Sequence, residues 1–410
     1  MGSALYAGIS GLNASSTEMD VIANNVANVN TIGYKAGKTY FADVLSQSLS
    51  GGTSGSMQVG RGVEVTDVGT QFGSGSFETT GNATDVAIDG DGFFVVNDNN
   101  GASYYTRAGA FHLSSDGNLI DTNGYKLQGY NFFGATLNNV TDIDLNNVQS
   151  APAMTTVFSV GANLDAGTAI GNTFSTTQTV YDSLGGKHTL GITYTDAAPV
   201  TAGATSAWSL AAALDGVTTG TPTTTLLEFD VNGALISPAD NSIDFGATLP
   251  SGATIGTGGV LTWDMTSPNA LVVTGYDSTS VINSLTNDGY ASGLLKSLSI
   301  TDDGKISGFF TNGQTADVAQ IVLANFSDPW GLKKMGSNLF GETLTSGAAI
   351  MNVPGASGMG NVASNSLEMS NTDIATEFIN MITAQKSYSA NARVVTTMDQ
   401  MLTELINIKR

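Results

Sequence analysis

The sequence offers few side chains that could carry out catalytic or metal chemistry. It contains no cysteine and only two histidines, His112 and His188, which are far apart in the chain. A zinc site needs a cluster of cysteine, histidine or carboxylate ligands. We therefore expect no zinc site, and we interpret each histidine as a strand or surface residue.

One acidic stretch, Asp89-Gly90-Asp91-Gly92, has the alternation of a calcium-binding loop. It lacks the further carboxylates and the terminal glutamate of an EF-hand, and an apolar strand starts at once with Phe93. The stretch therefore predicts a tight turn, and the sequence as a whole predicts no bound metal ion.

The glycines and the other carboxylates point to no ligand site either. Gly33, Gly37, Gly60 and Gly62 do not follow a strand with the spacing of a phosphate-binding loop. The 35 acidic residues leave a carboxylate pair of the glycosidase type open, but no pair is marked by its context. The residues predict a protein that is not an enzyme and that binds no cofactor.

Composition and charge narrow the possible kinds of partner. The 410 residues suffice for two or three domains, 12% of them are charged, and the net charge is −21. Such an acidic chain argues against nucleic acid and anionic membranes as partners, because both attract basic surfaces. Between Lys126 and Lys296 the only basic residue is Lys187, against thirteen acidic ones. We expect this stretch to be the most exposed part of the protein.

The chain carries no recognisable membrane segment. No stretch reaches the ~18 consecutive apolar residues of a membrane span. The first 30 residues contain no Lys or Arg and no continuous apolar run, unlike a secretory signal peptide. We expect no membrane insertion and, if the protein works outside the cell, export without a cleaved signal peptide.

Apolar residues recur at both ends of the chain with the spacing of about 3.5 residues that a coiled-coil seam requires. The first helix carries only two charges, Glu18 and Asp20, and many small residues, so it suits contacts on more than one side. We predict that the repeating residues are polymerisation and coiled-coil contacts. They are Leu5, Ile9, Leu12, Met19, Ile22 and Val26 near the N-terminus, and Ile374, Phe378, Met381, Tyr388, Val395, Leu402 and Leu405 near the C-terminus.

The sequence between the helices is typical of short strands joined by Asn-Gly and Asp-Gly turns. Residues 93–96 and 103–106 predict one hairpin, and residues 298–300 and 306–310 another. From about residue 148 the sequence becomes rich in Thr and Ala, and the strand-and-turn pattern of the first part returns at about residue 287. We interpret the stretch between as a second β domain inserted into the first.

The predicted fold class is multi-domain and mainly β, with terminal α-helices that pair as a coiled coil and two nested β-rich domains between them. The predicted divisions are residues 1–30 and 366–410 for the coiled coil, 31–72 for an irregular linker, 73–147 and 287–365 for a middle β domain, and 148–286 for an outer β domain.

Two local predictions concern the edges of these divisions. Residues 40–49 form either a short helix or an irregular strand. The final helix starts near residue 366, with Asn365 and Glu368, or Ser370 and Asp373, as its capping box.

Long motifs at both ends resemble the signatures of the bacterial flagellar rod and hook proteins. Residues 23–35 match the N-terminal signature and residues 381–394 the C-terminal one, while residues 85–94 and 105–111 resemble the β domain of this family. The signature residues carried over are Asn24, Asn25, Asn28, Asn30, Gly33, Asn391 and Arg393.

Within this family the chain is more similar to hook than to rod members. The rod members are shorter and lack a large insert, and residues 180–188, 312–314 and 323–326 are similar to hook sequences. The resemblance implies a structural subunit of a helical tube that joins rod to filament, transmits torque as a flexible universal joint and forms an export channel. The location implied is the extracellular hook of the flagellum.

The same resemblance implies a set of partners. These are further copies of the chain, the rod protein at the proximal end, the hook cap during assembly, the junction protein at the distal end, and the type III export apparatus. Three other interpretations stay open: a distal rod protein, a surface-layer or adhesin subunit, and a secreted glycan-active enzyme. The last would need a carboxylate pair in a cleft lined by aromatic residues.

Overall fold

Both ends of the chain are helical, and the described residues between them form strands, turns and a short 3-10 helix at Pro329–Gly331. The computed structural model describes residues 2–44, 47–49, 57–98, 100–133, 139–218, 226–238, 242–246, 252–258, 260–265 and 271–408. Helix α1 is Gly2–Ala27 and helix α2 is Ile374–Ile408. The predicted fold class, mainly β with paired terminal helices, is confirmed, because α1 packs against α2.

The two helices run antiparallel. A side chain added at Gly8 would lie 2.9 Å from Val395 Cγ2, while Asn25, farther along α1, donates a hydrogen bond to Glu377 near the start of α2. At 1.5 Å per residue, α1 is about 39 Å long and α2 about 52 Å. The C-terminal end of α2 therefore extends past the first residues of α1.

Helix α2 begins later than the sequence predicted. Residues Ser366–Glu368 form a strand that pairs antiparallel with strand Phe77–Thr79. Because this pairing keeps the backbone extended, the helix cannot start near residue 366 and begins at Ile374 instead. Helix α1 ends at Ala27, within the predicted coiled-coil segment of residues 1–30.

A single aspartate caps α2. The Asp373 carboxylate accepts a hydrogen bond of 2.7 Å from the backbone N–H of Thr376, which satisfies one of the donors left free at a helix start. Asn365 precedes the strand of Glu368, and the Ser370 hydroxyl donates to Thr372. Both predicted capping boxes are therefore wrong.

The chain divides into two compact units. Unit 1 consists of Met1–Val148, Ser297–Gly308 and Ala316–Arg410, and unit 2 of Gln149–Lys296 and Phe309–Thr315. The domain limits set out from the sequence remain a prediction.

The first segment of unit 1 supplies a series of short strands. They are β1 (Gly37–Asp43), β2 (Gln47–Leu49), β3 (Met57–Val59), β4 (Val63–Thr70), β5 (Phe77–Thr79), β6 (Val86–Asp89), β7 (Phe93–Asn97), β8 (Ser103–Thr106), β9 (His112–Leu113), β10 (Leu119–Ile120), β11 (Lys126–Asn131) and β12 (Thr141–Asp142). Since β1 and β2 are strands, the helix alternative for residues 40–49 is wrong in its described part.

Unit 2 begins with strands that belong to it alone. They are β13 (Gln149–Ser150), β14 (Val157–Asn163), β15 (Thr173–Tyr181), β16 (Lys187–Ala197), β17 (Ser206–Leu214), β18 (Val217–Thr218), β19 (Leu226–Phe229), β20 (Leu235–Ser237), β21 (Ser242–Gly246), β22 (Val260–Asp264), β23 (Val273–Thr274) and β24 (Val281–Asn287).

The remaining strands follow in chain order. They are β25 (Gly293–Ile300), β26 (Lys305–Phe310), β27 (Thr315–Ile321), β28 (Leu323–Asn325), β29 (Lys333–Gly336), β30 (Leu339–Gly341), β31 (Ile350–Asn352), β32 (Asn361–Ser364) and β33 (Ser366–Glu368).

In unit 1 the strands β27, β11, β7, β8, β30 and β29 lie side by side in that order, and β1 pairs antiparallel with β4. The core on β7 and β8 is aromatic. Phe93 packs edge-on against Phe326, and Tyr105 packs edge-on against the same ring with centroids 4.7 Å apart. These contacts join the strands before residue 148 to those after residue 316.

Unit 2 contains two sheets with a shared core. One has the order β21-β22-β14-β23 with β24 on β14, and the other β15-β16-β17-β19-β20 with β18 on β17. Along β16 every second side chain, Leu190, Ile192 and Tyr194, is fully buried, as the alternation of a strand requires. They meet Trp208 and Trp263 in one apolar cluster.

His188 is held between two carboxylates in unit 2. Its Nδ1 lies 2.6 Å from Asp215 Oδ2 and its Nε2 lies 3.2 Å from Asp182 Oδ2. Burial alone would lower the pKa of His188, but the hydrogen bonds to Asp215 and Asp182 outweigh it and raise the pKa above its usual value. His188 thus ties the turn before β16 to the end of β17.

Replacing His188 with Gln should therefore destabilise unit 2 at about pH 5.5 and much less at about pH 9. The folded-state pKa exceeds the unfolded value, so the stabilisation is fully present below the unfolded pKa and is lost as pH rises through the folded one. We expect a loss on the order of 1 kcal/mol at the lower pH. The measurement is thermal unfolding followed by tryptophan fluorescence, in which Trp208 and Trp263 report on unit 2 and Trp330 reports on unit 1.

The matched control is His112→Gln, because His112 is exposed in unit 1. A His188→Gln variant whose deficit is the same at both pH values would show that the histidine is neutral in the folded chain.

Candidate functional site

Small residues form the seam between the helices. Gly8, Gly11 and Ser15 of α1 are buried, at the three- and four-residue steps that keep one face of a helix toward its neighbour. A side chain added at Gly11 would lie 2.5 Å from the Asn391 amide. The small residues Gly8, Gly11 and Ser15 therefore allow the close approach of α1 and α2, and a larger side chain at either glycine would have to displace Val395 or Asn391.

Helix α1 is contacted on a second side by β1 and β4. The Ser10 hydroxyl accepts a hydrogen bond of 3.2 Å from the backbone N–H of Val63. The Asn25 amide pairs with the backbone of Gly37 in both directions, accepting at 2.9 Å and donating at 2.8 Å. This agrees with the sparse charge of α1, because two of its sides have packing partners within one chain.

The predicted coiled-coil residues divide into two groups. Ile22 is buried, and Leu5, Leu12, Met19, Val26, Met381, Val395 and Leu402 are partly buried. The others are exposed: Ile9, Ile374, Phe378, Tyr388 and Leu405. The chain thus brings together the first group, and the role of all these residues in polymerisation remains a prediction.

The periodicity of large apolar residues missed part of the seam. Ala384 of α2 is 1% exposed, and Asn391 lies against Gly11. The signal that could have found them was the spacing of small residues, since Gly8, Gly11 and Ser15 already repeat at steps of three and four. A small side chain carries little hydrophobic weight in a periodicity search, although it decides how closely two helices can pack.

Much of the apolar surface of α2 is left exposed by the described part of the chain. The exposed large apolar residues of α2 are Ile374, Phe378, Ile379, Ile382, Tyr388, Val394, Met401, Leu405, Ile406 and Ile408. At 3.6 residues per turn these residues lie on several sides of α2, and we refer to them together as the apolar band. Exposed apolar surface of this extent is typical of a protein interface. Arg393, a signature residue on the same helix, is exposed, and none of the ion pairs in the described part of the chain includes it.

The asparagines after α1 form a local network. Asn28 donates to the side chain of Asn24 at 2.7 Å and to its carbonyl, and Thr31 donates to Asn28. Asn30 is exposed. The Asn24 carbonyl also accepts from the backbone N–H of Asn28, so the Asn28 side chain reinforces the last turn of α1.

A fully buried carboxylate joins this exit to the start of α2. Glu368 accepts a hydrogen bond of 2.6 Å from Lys35 Nζ, one of 2.9 Å from the backbone N–H of Gly75, and one of 3.4 Å from Arg107 Nη1. The side chains of Glu368 and Lys35 are both 0% exposed. One acidic group thus holds three segments of unit 1.

The partners of Glu368 are themselves constrained. Arg107 Nη2 donates to the Gly90 carbonyl at 2.8 Å, which places the 89–92 turn beside the cluster. Burial lowers the pKa of Lys35 and of Arg107, and the nearby Glu368 carboxylate opposes that shift in both. The negative charge of Glu368 therefore compensates the positive charges of Lys35 and Arg107, and burial of either sign alone would be unfavourable.

Gly33 sits at a close approach of two backbone segments in this region. Its φ is +67°, and a side chain there would lie 2.5 Å from the backbone N of Ala108. Its N–H also donates to the Glu368 carbonyl at 2.7 Å. Only glycine satisfies the left-handed backbone and the close approach at this position.

No group of three or more metal-ligating side chains occurs among the described residues. A cleft of about 300 Å³ between α1, α2 and β1 is lined by Glu18, Lys38, Gln71 and Glu377 among others, without a histidine. No described helix has the length and hydropathy to cross a bilayer.

Known protein families match most of the chain in four stretches. Residues 5–35 match the flagella basal body rod protein model, and residues 87–163 match the flagellar hook protein FlgE/F/G D1 domain. Residues 145–290 match the flagellar basal body protein FlaE D2 domain, and residues 363–408 match the flagellar basal body rod FlgEFG protein C-terminal model.

Individual relatives agree over nearly the full length. The flagellar hook protein FlgE of Escherichia coli K12 is 34% identical over 419 residues, which cover 98% of both chains. That of Borreliella burgdorferi is 32% identical over 447 residues and 99% of both chains. The chain belongs to the flagellar hook protein family.

A hook family member is a structural protein of the bacterial flagellum and not an enzyme, and it assembles with copies of itself. Another hook protein, that of Rhizobium meliloti, is 34% identical over 417 residues. Among solved structures, the Helicobacter pylori hook protein FlgE2 covers 71% of this chain at 14% identity with a TM-score of 0.46.

Replacing Glu368 with Gln should destabilise unit 1 strongly, because it leaves Lys35 and Arg107 buried without a counter-charge. Breaking a buried ion pair from one side costs about 3–5 kcal/mol, and we expect a loss of about that size. Chemical denaturation followed by circular dichroism measures it. Glu404→Gln, on the exposed end of α2, is the control and should unfold like the wild type.

Proposed function

We propose that this chain forms the tube of the flagellar hook, in which copies stack helically, join the rod to the filament and transmit torque as a flexible joint. The tube also provides the channel through which later subunits are exported. Its neighbours in this proposal are the rod protein, the hook cap, the hook–filament junction protein and the type III export apparatus. The location is the extracellular part of the flagellum.

The exposed apolar band of α2 is the observation that carries this proposal. Ile379, Ile382 and Ile406 are 65%, 55% and 67% exposed, respectively, on a helix whose seam with α1 uses other residues. Burying one isoleucine side chain is worth about 1.5–3 kcal/mol, so a band of several can hold subunits together. Further copies of the chain, packing helix against helix, would cover it.

Two features of the chain suit export through a narrow channel. It has no cysteine, so no disulfide can lock a partly folded chain during passage. The described part of the helix pair carries few basic residues, since α1 has none and α2 has Lys386 and Arg393. A weakly charged lining would bind passing chains of different charge only weakly.

Electron microscopy of the polymer formed by the purified chain is the direct test. A hollow, curved tube is the expected result. A straight tube would favour a distal rod protein, and a flat lattice would favour a surface-layer subunit. Failure of the chain to form any ordered polymer, alone or on hook fragments as seeds, would contradict the proposal.

The substitution Ile382→Asp should block assembly without unfolding the chain. Ile382 is exposed in the single chain, so the aspartate meets water there, whereas in the polymer it would be buried unpaired at high cost. Sedimentation measures polymer yield, and circular dichroism checks the fold. Leu184→Asp adds the same charge at an exposed position of unit 2, outside the helices, and is the control. Normal polymers from Ile382→Asp would remove the apolar band from the interface.

A further inference from the structure

One leucine of unit 1 stands entirely outside the packed chain. Leu344 is 105% exposed, more than any other large apolar residue among those described. It lies in a turn of residues 343–346, where small polar residues are the usual choice. A single exposed leucine is unremarkable by itself, so its surroundings decide its meaning.

The turn that carries Leu344 is firmly held. The Ser346 hydroxyl is completely buried, accepts from the backbone N–H of Thr343 at 2.9 Å and donates to the Thr343 carbonyl at 3.0 Å. The Thr343 hydroxyl donates to the Gly331 carbonyl at 2.6 Å. Leu344 is therefore presented by a fixed backbone, with little conformational freedom left to lose on binding.

Trp330 lies on the adjoining turn. The two turns are in backbone contact, because a side chain at Gly331 would lie 2.6 Å from the backbone N of Ser346. The Trp330 ring is 57% exposed and packs on Tyr40 of β1, with ring centroids 5.6 Å apart. One face of the indole is thus supported by the protein, and the rest of the ring meets solvent.

We propose that Leu344 and Trp330 form a docking knob that inserts into the surface of a second copy of this chain in the polymer. The knob lies outside the helix pair, so it is a contact additional to the α2 band. A helical polymer needs heterologous contacts, in which a patch on one subunit meets a different patch on the next. The knob is one half of such a contact.

Two arguments identify the occupant as another copy of the chain. The chain belongs to a family that assembles with itself, so copies are its most abundant neighbours. The rim of the knob also carries both signs, with exposed Asp328 and Lys333 near Trp330 and exposed Glu342 near Leu344. A rim that carries both positive and negative charges suits contact with another copy of this chain. A strongly basic or strongly acidic partner would instead require a rim with charges of one sign.

Because the chain contains no cysteine, a single introduced thiol reports one position without interference. The variant Leu344→Cys should react with a soluble maleimide as fast as a free thiol in the monomer. In the polymer we expect its labelling rate to fall by about tenfold or more, since a buried interface position excludes the reagent. Leu184→Cys, 75% exposed in unit 2, measures general protection by the polymer.

The two thiol variants separate the outcomes. Equal labelling of Leu344→Cys in monomer and polymer would overturn the docking proposal while leaving tube formation intact. Failure of the unsubstituted chain to polymerise would count against the proposed function, and hooks isolated from cells would then supply the polymer for the same labelling. Protection in isolated hooks but not in a polymer of the pure chain would identify a different protein as the occupant and overturn the proposal.

Truncation of the two side chains tests how much the knob contributes to the free energy of polymerisation. Leu344→Ser and Trp330→Ala should each raise the critical concentration for polymerisation by about tenfold, as truncation of an interface anchor does, with unchanged circular dichroism of the monomer. Leu184→Ser is the matched control. A benzophenone maleimide on the thiol of Leu344→Cys should crosslink subunit to subunit. Crosslinks only within one chain, or unchanged critical concentrations, would refute the knob.

Discussion

The carboxylate of Glu368 is the interaction on which the rest of unit 1 depends. It lies directly before the segment that leads into α2, and it is bonded to Lys35, which directly follows the exit from α1. Because the cluster is fully buried, its geometry tolerates little displacement. Buried ion pairs add little net stability compared with apolar packing, so its main effect is to fix where the second helix starts relative to the end of the first. The register of the helix pair follows from that anchor.

The helix pair that results is asymmetric. Helix α1 has partners on two sides, α2 and the hairpin of β1 and β4, and its seam is built from glycine, alanine and serine. Helix α2 contributes part of its surface to this seam and leaves large apolar residues in water. Such a distribution is unfavourable for an isolated monomer and agrees with a family whose members function as polymers. Within the described part of the chain, α1 therefore has packing partners on two sides, whereas much of the apolar surface of α2 stays exposed.

Periodicity in the sequence was enough to predict the helical ends, the β-rich middle and the hairpins of residues 93–106 and 298–310, because these depend on local patterns and turn chemistry. Three features depended on distant residues. The start of α2 was predicted too early because Ser366–Glu368 pairs with β5, which lies far upstream. Glu368 looked like half of a capping box, and nothing near it in the sequence indicates Lys35 or Arg107. His188 could be read as an ordinary strand residue because Asp215 reaches it only through sheet pairing.

The separation of Lys35 and Glu368 along the chain has a kinetic consequence. The two residues are 333 positions apart, and contacts between such distant residues form slowly because a long loop must close first. A chain that emerges with its N-terminus first cannot complete unit 1 until only about the last tenth of its residues is still to come. Until Glu368 has emerged, the position of α1 relative to α2 is not fixed. The topology of the fold thus delays the completion of unit 1 until the C-terminal part of the chain is present.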